Sequence, residues 1–382
     1  MKTAYVSRYH HTDISRWSGT VYYMAKCLTD SGLYLDYVSG FSSVWESVFL
    51  AKTVLYRKVL KKPYARHYQP AVLRSYARQI EDRLDHIKPD VIFTPDTQAI
   101  SYLQTDIPIV FWTDATFAGV ADFHPRLTNL SSGDIRRGNL VEQQAISNCR
   151  LAIYSSEWAA QTAIDHYDVD RRKIKVVPFG ANVDCNRNIE DIRRIIADRD
   201  PAVCKLLFVG VQWLPKGGDI ALAVATALNA HGLPTELHVV GCAPRVHTPH
   251  FVKLHGFVSK KSPDGRRLLN NLYASSHFFI LPTRADCVPV VLAEASSFGL
   301  PSLATCVGGV PTAIVDNVNG KTFLFDNIVE HMTDYVLKVM SDGSTYRALC
   351  ISSFNEYCNR LNWVTAGNAV KQLIHEICPK ES

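Results

Sequence analysis

The 382 residues predict an α/β chain of two domains, each a parallel sheet covered by helices, on three observations. At roughly 150 residues per domain, a chain of this length has room for two hydrophobic cores. Short β-type runs alternate with helical stretches through both halves, the pattern of a parallel sheet with crossover helices. The alternation is interrupted once, by the polar and charged stretch NVDCNRNIEDIRRIIADRDPAV, residues 182–203. Residues 1–181 are therefore the first domain, 182–203 a linker, 204–350 the second domain, and 351–382 C-terminal helices expected to cross back toward the first.

In the first half the expected strands are TAYVS (3–7), LDYVS (35–39), DVIFT (90–94), PIVFW (108–112), LAIYS (151–155) and IKVVPF (174–179). Between them lie helical patterns such as GTVYYMAKCLTDSG (19–32) and SEWAAQTAIDHY (156–167). The second series runs CKLLFVG (204–210), TELHVVG (235–241), VKLHGF (252–257), HFFILP (277–282) and PSLAT (301–305). Ligands of such sheets are expected beyond the C-terminal strand ends, in the cleft between the domains.

With 47% hydrophobic and 20% charged residues the chain is an ordinary globular one, and a net charge of +5 is too mild for a dedicated nucleic-acid binder. The ten cysteines form no C-x-x-C and no Cys/His cluster, so they read as buried free thiols in a reducing compartment. The N-terminal residues lack the apolar core of a signal peptide, and no apolar run is long enough to span a bilayer. The expectation is a cytoplasmic protein. The basic, aromatic-rich segment 54–84 reads as a solvated helix face or as a surface for anionic lipid or a phosphate-bearing acceptor.

Three stretches carry candidate chemistry. After the strand TAYVS, Ser18-Gly19-Thr20 opens a helix, with Ser18 as its N-cap and Gly19 allowing close backbone approach; capping and phosphate binding both fit. In LLFVGVQWLPKGGDIALAVATAL, residues 206–228, Lys216 sits between a buried strand and a helix, where it is either solvated or set against a diphosphate. In RADCVPVVLAEASSFGLP, residues 284–301, Pro289 takes the first helical position and Gly299 closes the helix. Asp286 then lies just before that helix, and Glu294 interrupts an apolar run that should be mostly buried. The pairs Asp168/Asp170 and Asp198/Asp200 do not end buried strands, and His10, His11 and His124 lack partners at ligand spacing, so no metal site is expected. The missing G-x-G-x-x-G disfavours a nicotinamide enzyme.

Taken in order, WSGT, EQQAISNCRLAIYSSEWAAQTAIDHY, KIKVVPFGANVD, FVGVQWLPKGG, LHGFVS, RADCVPVVLAEASSFGLP, ATCVGGVPTAIVDNVNG and LNW resemble the family 4 glycosyltransferases of the GT-B fold over nearly the whole chain. The resemblance implies two Rossmann-like domains facing across a cleft, with a C-terminal helix returning to the first. It also implies retaining, metal-independent and cofactor-free transfer from a nucleoside-diphosphate sugar, of UDP or GDP type, to a glycan or lipid-linked acceptor. Glu294 looks like the second acid of the family's E(x7)E motif, on the ribose, and Asp286 stands for the first, on the sugar. Lys216 looks like the diphosphate lysine and Gly19 like the first-loop glycine, while backbone N–H groups of Val290 and Val291 complete the phosphate cradle.

The departures are Asp for Glu at 286, Val288-Pro289 for a common Phe-Gly, and Val211 for a common arginine, which leaves Arg284 or Arg245 to assist Lys216. Asp114, in FWTDATF, stands where many members carry a histidine. A sugar-nucleotide epimerase or hydrolase, or a non-catalytic nucleotide-sugar binder, are the alternatives.

Overall fold

The computed structural model describes residues 1–124, 127–244 and 247–378. They divide into two compact units, one of Met1–Phe179 with Trp363–Ser382, the other of Gly180–Asn362. The first unit holds a six-stranded parallel sheet of β1 (Lys2–Val6), β2 (Tyr34–Val38), β3 (Val91–Thr94), β4 (Ile109–Thr113), β5 (Leu151–Tyr154) and β6 (Ile174–Val176), in the order β2-β1-β3-β4-β5-β6. The second holds β7 (Cys204–Val209), β8 (Thr235–Val240), β9 (Val252–Leu254), β10 (Phe278–Leu281), β11 (Ser302–Thr305) and β12 (Gly320–Phe323), in the order β12-β11-β10-β7-β8-β9. Eleven of these strands are the apolar runs read from sequence. β12, GKTF, has too little apolar character to be noticed and is paired through its backbone to β11.

Both orders reverse direction once. In the first sheet β1 and β3 lie side by side and lead their chains to opposite edges; in the second, β7 and β10 do so. The connections from such neighbours run on to opposite edges of the sheet, and the C-terminal strand ends at that point are the expected place for a ligand.

The expected linker at 182–203 is instead part of the second unit. Its core is the helix Ile189–Ala197, closed at its start by a reciprocal bond pair between Asn188 and Asp191. The charges that suggested a linker lie on its outer side, whereas Ile192 and Ile196 enter the core. Arg199 is buried, its guanidinium donating to the carbonyls of Ala274, Phe298 and Gly299 and to the Tyr346 hydroxyl.

The boundary at 350 likewise falls inside the helix Gly343–Asn359, whose Tyr346, Leu349, Cys350 and Phe354 belong to the second unit's core. Only the helix Trp363–Ile377 belongs to the first unit. Trp363 anchors it, stacking on Phe179 at 5.8 Å and meeting Trp112 edge-on at 5.6 Å. Of the ten cysteines only Cys27, Cys149, Cys204 and Cys350 are buried; Cys306 and Cys358 are exposed.

The helix Ser132–Asn148 carries a buried acid, Glu142, whose Oε2 accepts a 3.0 Å hydrogen bond from Thr97 Oγ1. Burial pushes this carboxyl up to about 8 from an ordinary 4.5. Between those values the folded chain keeps a proton that the unfolded chain has lost, so this group's contribution falls as pH rises through that window. We expect Glu142→Gln to gain on the wild type as pH rises from about 5 to about 8, by up to about 1.4 kcal/mol per pH unit. A stability difference from urea unfolding that is flat across that range would contradict the raised value.

Candidate functional site

In the second unit, the loops after β7 and β10 meet at the reversal point. The first, residues 210–217, is a tight series of turns in which Lys216 N–H bonds to Gln212 C=O, and Gly217 N–H to Leu214 C=O. The loop after β10 is stitched to it: Arg284 N–H donates to Pro215 C=O at 2.9 Å and the Thr283 hydroxyl to the same oxygen at 3.2 Å. This contact sets Lys216 Nζ against Asp286 Oδ2 in an ion pair, with Asp286 largely buried.

Gly217 makes the approach possible. Its φ is +78°, and a Cβ there would stand 1.9 Å from the Pro282 carbonyl oxygen. A Cβ on Gly218 would meet the Trp213 ring at 2.3 Å.

Glu294 lies in the helix Val290–Ser296 and is completely buried. One of its oxygens pairs with Lys260 Nζ; the other accepts from the Tyr273 hydroxyl at 2.9 Å. Burial and then the Glu294 charge hold the Tyr273 phenol well above its ordinary range, so it remains a donor. An acid alone at this depth would be costly, and these two partners are what keep it there.

Pro289 is the N-cap of this helix rather than its first residue, with ψ 94° outside the helical range, and it supplies no side-chain cap. Val290 and Val291 therefore form the first turn. Arg284 turns away from Lys216: its guanidinium makes two bonds to Asp219, at 2.9 and 2.7 Å, which raise its affinity for the proton and lower that of Asp219. Arg245 lies outside the described residues. Among the described residues no cluster of His, Cys, Asp and Glu could hold a metal ion. A surface hollow lined by Ala227, His231, Phe325 and Asn327 lies by the C-terminal end of the helix Gly218–Ala230, away from the Gly217 loop at that helix's start.

In the first unit, Ser18 does not cap the helix Thr20–Asp30; Gly19 occupies that position at φ +91°. Trp17 and Ser18 are also left-handed, at φ 49° and 56°. Such residues cost about 1–2 kcal/mol each, so packing must hold the turn in place. Trp17 does so, meeting Phe179 edge-on at 5.6 Å while its indole N–H donates to Asp114 Oδ2 at 3.0 Å. The turn and Asp114, which follows β4, are thereby brought together. Sequence reading missed Trp17, Lys260 and Tyr273. It also missed the ion pair of Arg8 with Asp96, which follow β1 and β3 at this sheet's reversal point.

We expect Gly217→Ala to destabilise the protein by about 3 kcal/mol or more, because a clash with backbone adds to the positive-φ cost. Gly232, at φ +83° with open space around it, serves as control: Gly232→Ala should lose only about 1–2 kcal/mol in the same urea unfolding series. Equal losses would mean that the close approach to Pro282 is relaxed at little cost.

Residues 203–342 match the family described as "Glycosyl transferases group 1", and residues 19–184 match "Glycosyltransferase Family 4". A D-inositol 3-phosphate glycosyltransferase of Corynebacterium diphtheriae is 23% identical over 288 residues, covering 70% of this chain and 65% of that protein. A second, from Corynebacterium aurimucosum, is 25% identical over 284 residues, and the match spans 66% of its length. The chain thus spans just under two thirds of these relatives. The fold is shared with sucrose-phosphate synthase from Thermosynechococcus elongatus, at TM-score 0.69, 14% identity and 98% coverage of both chains. It is shared also with Anabaena HepE in complex with UDP and glucose, at TM-score 0.63 and 16% identity over 98% of this chain and 100% of that one.

Proposed function

Because this chain belongs to the family 4 glycosyltransferases, we propose that it transfers a sugar from a nucleoside-diphosphate donor to an acceptor hydroxyl, with retention of anomeric configuration and without a metal. The observation that carries this reading is the pair of acids that follow β10, Asp286 in the loop and Glu294 in the next helix, each partnered by a lysine. Loss of a diphosphate develops negative charge, and Lys216 with the first-turn N–H groups of Val290 and Val291 offsets it. Glu294, buried beneath Lys260, accepts hydrogen bonds from the ribose hydroxyls once Lys260 releases its oxygen, while Tyr273 holds the other. Asp286 faces the sugar once the diphosphate takes Lys216 from it.

In the reaction the acceptor oxygen bonds to the anomeric carbon as the bond from that carbon to the diphosphate oxygen breaks. The acceptor proton passes to the departing oxygen on the same face, so Asp286 is not a nucleophile. In the first unit, Asp114 and the turn of Ser18 and Gly19 are the substrate-side groups. The relatives that are D-inositol 3-phosphate glycosyltransferases point to a phosphorylated polyol as one acceptor class. A glycan or lipid-linked acceptor, with membrane contact through segment 54–84, belongs to the same reading.

The test is a thermal-shift panel of nucleotide sugars followed by transfer assays with the donor that binds. Lys216→Ala should lower kcat by about 100-fold or more, and Glu294→Ala should weaken donor binding by about tenfold. The anomeric configuration of the product, read by NMR, should match the donor's, and a chelator should leave the rate unchanged. Donor shifts and transfer rates that both variants leave intact would remove the proposed site.

A further inference from the structure

Among the described residues, exposed large apolar side chains cluster in residues 44–60, a segment that runs into the start of the basic stretch noted in the sequence. The helix Trp45–Leu55 and the wider turn that continues it, Tyr56–Leu60, bury no residue completely. Val44, Val48, Leu55, Val59 and Leu60 are each more than half exposed, Val44 at 83%. The helix Pro70–Ile87 behaves in the ordinary way, burying Val72, Leu73, Ile80 and Leu84.

One side of the exposed segment is fastened to the unit. Phe49 packs against the cluster of Val72, Leu73, Tyr76 and Val141. Tyr56 meets Tyr64 at 4.8 Å, and the Tyr76 hydroxyl donates to Glu46. The remaining sides therefore stay outward, with their apolar groups uncovered.

Charge identifies the occupant. Residues 44–62 hold five cations, Lys52, Arg57, Lys58, Lys61 and Lys62, against the single acid Glu46, which Tyr76 already engages. A second copy of the same face would set like charges against each other. A bilayer with anionic headgroups satisfies both features, since cations stay at the headgroups while aliphatic side chains enter the acyl boundary.

We propose that residues 44–62 form a membrane-docking surface selective for anionic lipid, with Leu55, Val59 and Leu60 inserted and Arg57, Lys58 and Lys61 at the headgroups. This rests on the membrane contact of the reading above, narrows it to the N-terminal end of segment 54–84 and extends it back to residue 44. Its test uses neither donor nor acceptor, so failure of docking and failure of transfer are read separately.

The test is co-sedimentation of the full chain with phosphatidylglycerol-containing vesicles and with pure phosphatidylcholine vesicles. Sedimentation velocity is run in parallel, and unfolding curves of each variant confirm folding. Binding to the anionic vesicles should fall with added salt and be absent on the zwitterionic ones. Arg57→Gln, Lys58→Gln and Lys61→Gln should each lower vesicle affinity roughly fivefold. The double variant Leu55→Ser and Val59→Ser should abolish binding while remaining folded, because both side chains are exposed. No wild-type binding, or binding that these variants leave unchanged, overturns the proposal. Equal binding to both lipids overturns the selectivity. A dimer that the Leu55/Val59 variant dissociates, with no vesicle binding, assigns the face to a second copy instead.

Discussion

The loop after β7 crosses the end of β10 so closely that the Pro282 carbonyl occupies the space of a side chain at residue 217. The second unit's candidate site depends on that crossing. With glycine there, Pro215 can accept from both Arg284 and Thr283, and the two loops become one structure. Lys216 and Asp286, 70 residues apart in sequence, then form their pair. The crossing occurs where the strand order reverses, at the C-terminal strand ends where a parallel sheet of this kind is expected to take its ligand.

The acids of this site are held by named cations rather than by solvent. Glu294 has Lys260 and Tyr273, Asp286 has Lys216, and Asp219 on the neighbouring helix has Arg284. Removing the partner of a buried acid strands its charge, so the contacts of Glu294 and Asp286 stabilise the fold while they orient the groups; the pair of Asp219 and Arg284 is exposed and adds little. A bound diphosphate must therefore exchange partners with Asp286 at Lys216, which couples binding to a rearrangement of the pair. Arg284 is already committed to Asp219, while Lys216 is paired with Asp286.

The first unit repeats the scheme with different residues. At the reversal between β1 and β3 stands the pair Arg8–Asp96, and the left-handed turn at Trp17–Gly19 is held by an indole bonded to Asp114. An aromatic group of Trp17, Trp112, Phe179 and Trp363 fixes both that turn and the last helix. Backbone strain at Trp17 and Ser18 is thus balanced by packing that originates far along the chain.

Local chemistry was legible without the fold. Apolar runs marked eleven strands, most plainly the inner ones, which are buried on both faces, whereas the edge strands β2, β6 and β9 are only partly covered. The eight-residue spacing of Asp286 and Glu294 marked two acids near one helix start. What misled was local as well. Residues 182–203 read as a linker because the charges outnumber the isoleucines, yet Ile192 and Ile196 recur at helical spacing and are buried. Ser18 reads as an N-cap by residue type, and only its positive φ excludes it. The partners of the acids, Lys260, Tyr273 and Trp17, could not be read at all. Their pairing depends on strand order and crossover path, which bring together groups 21 to 97 residues apart, and no spacing rule along the chain encodes that neighbourhood.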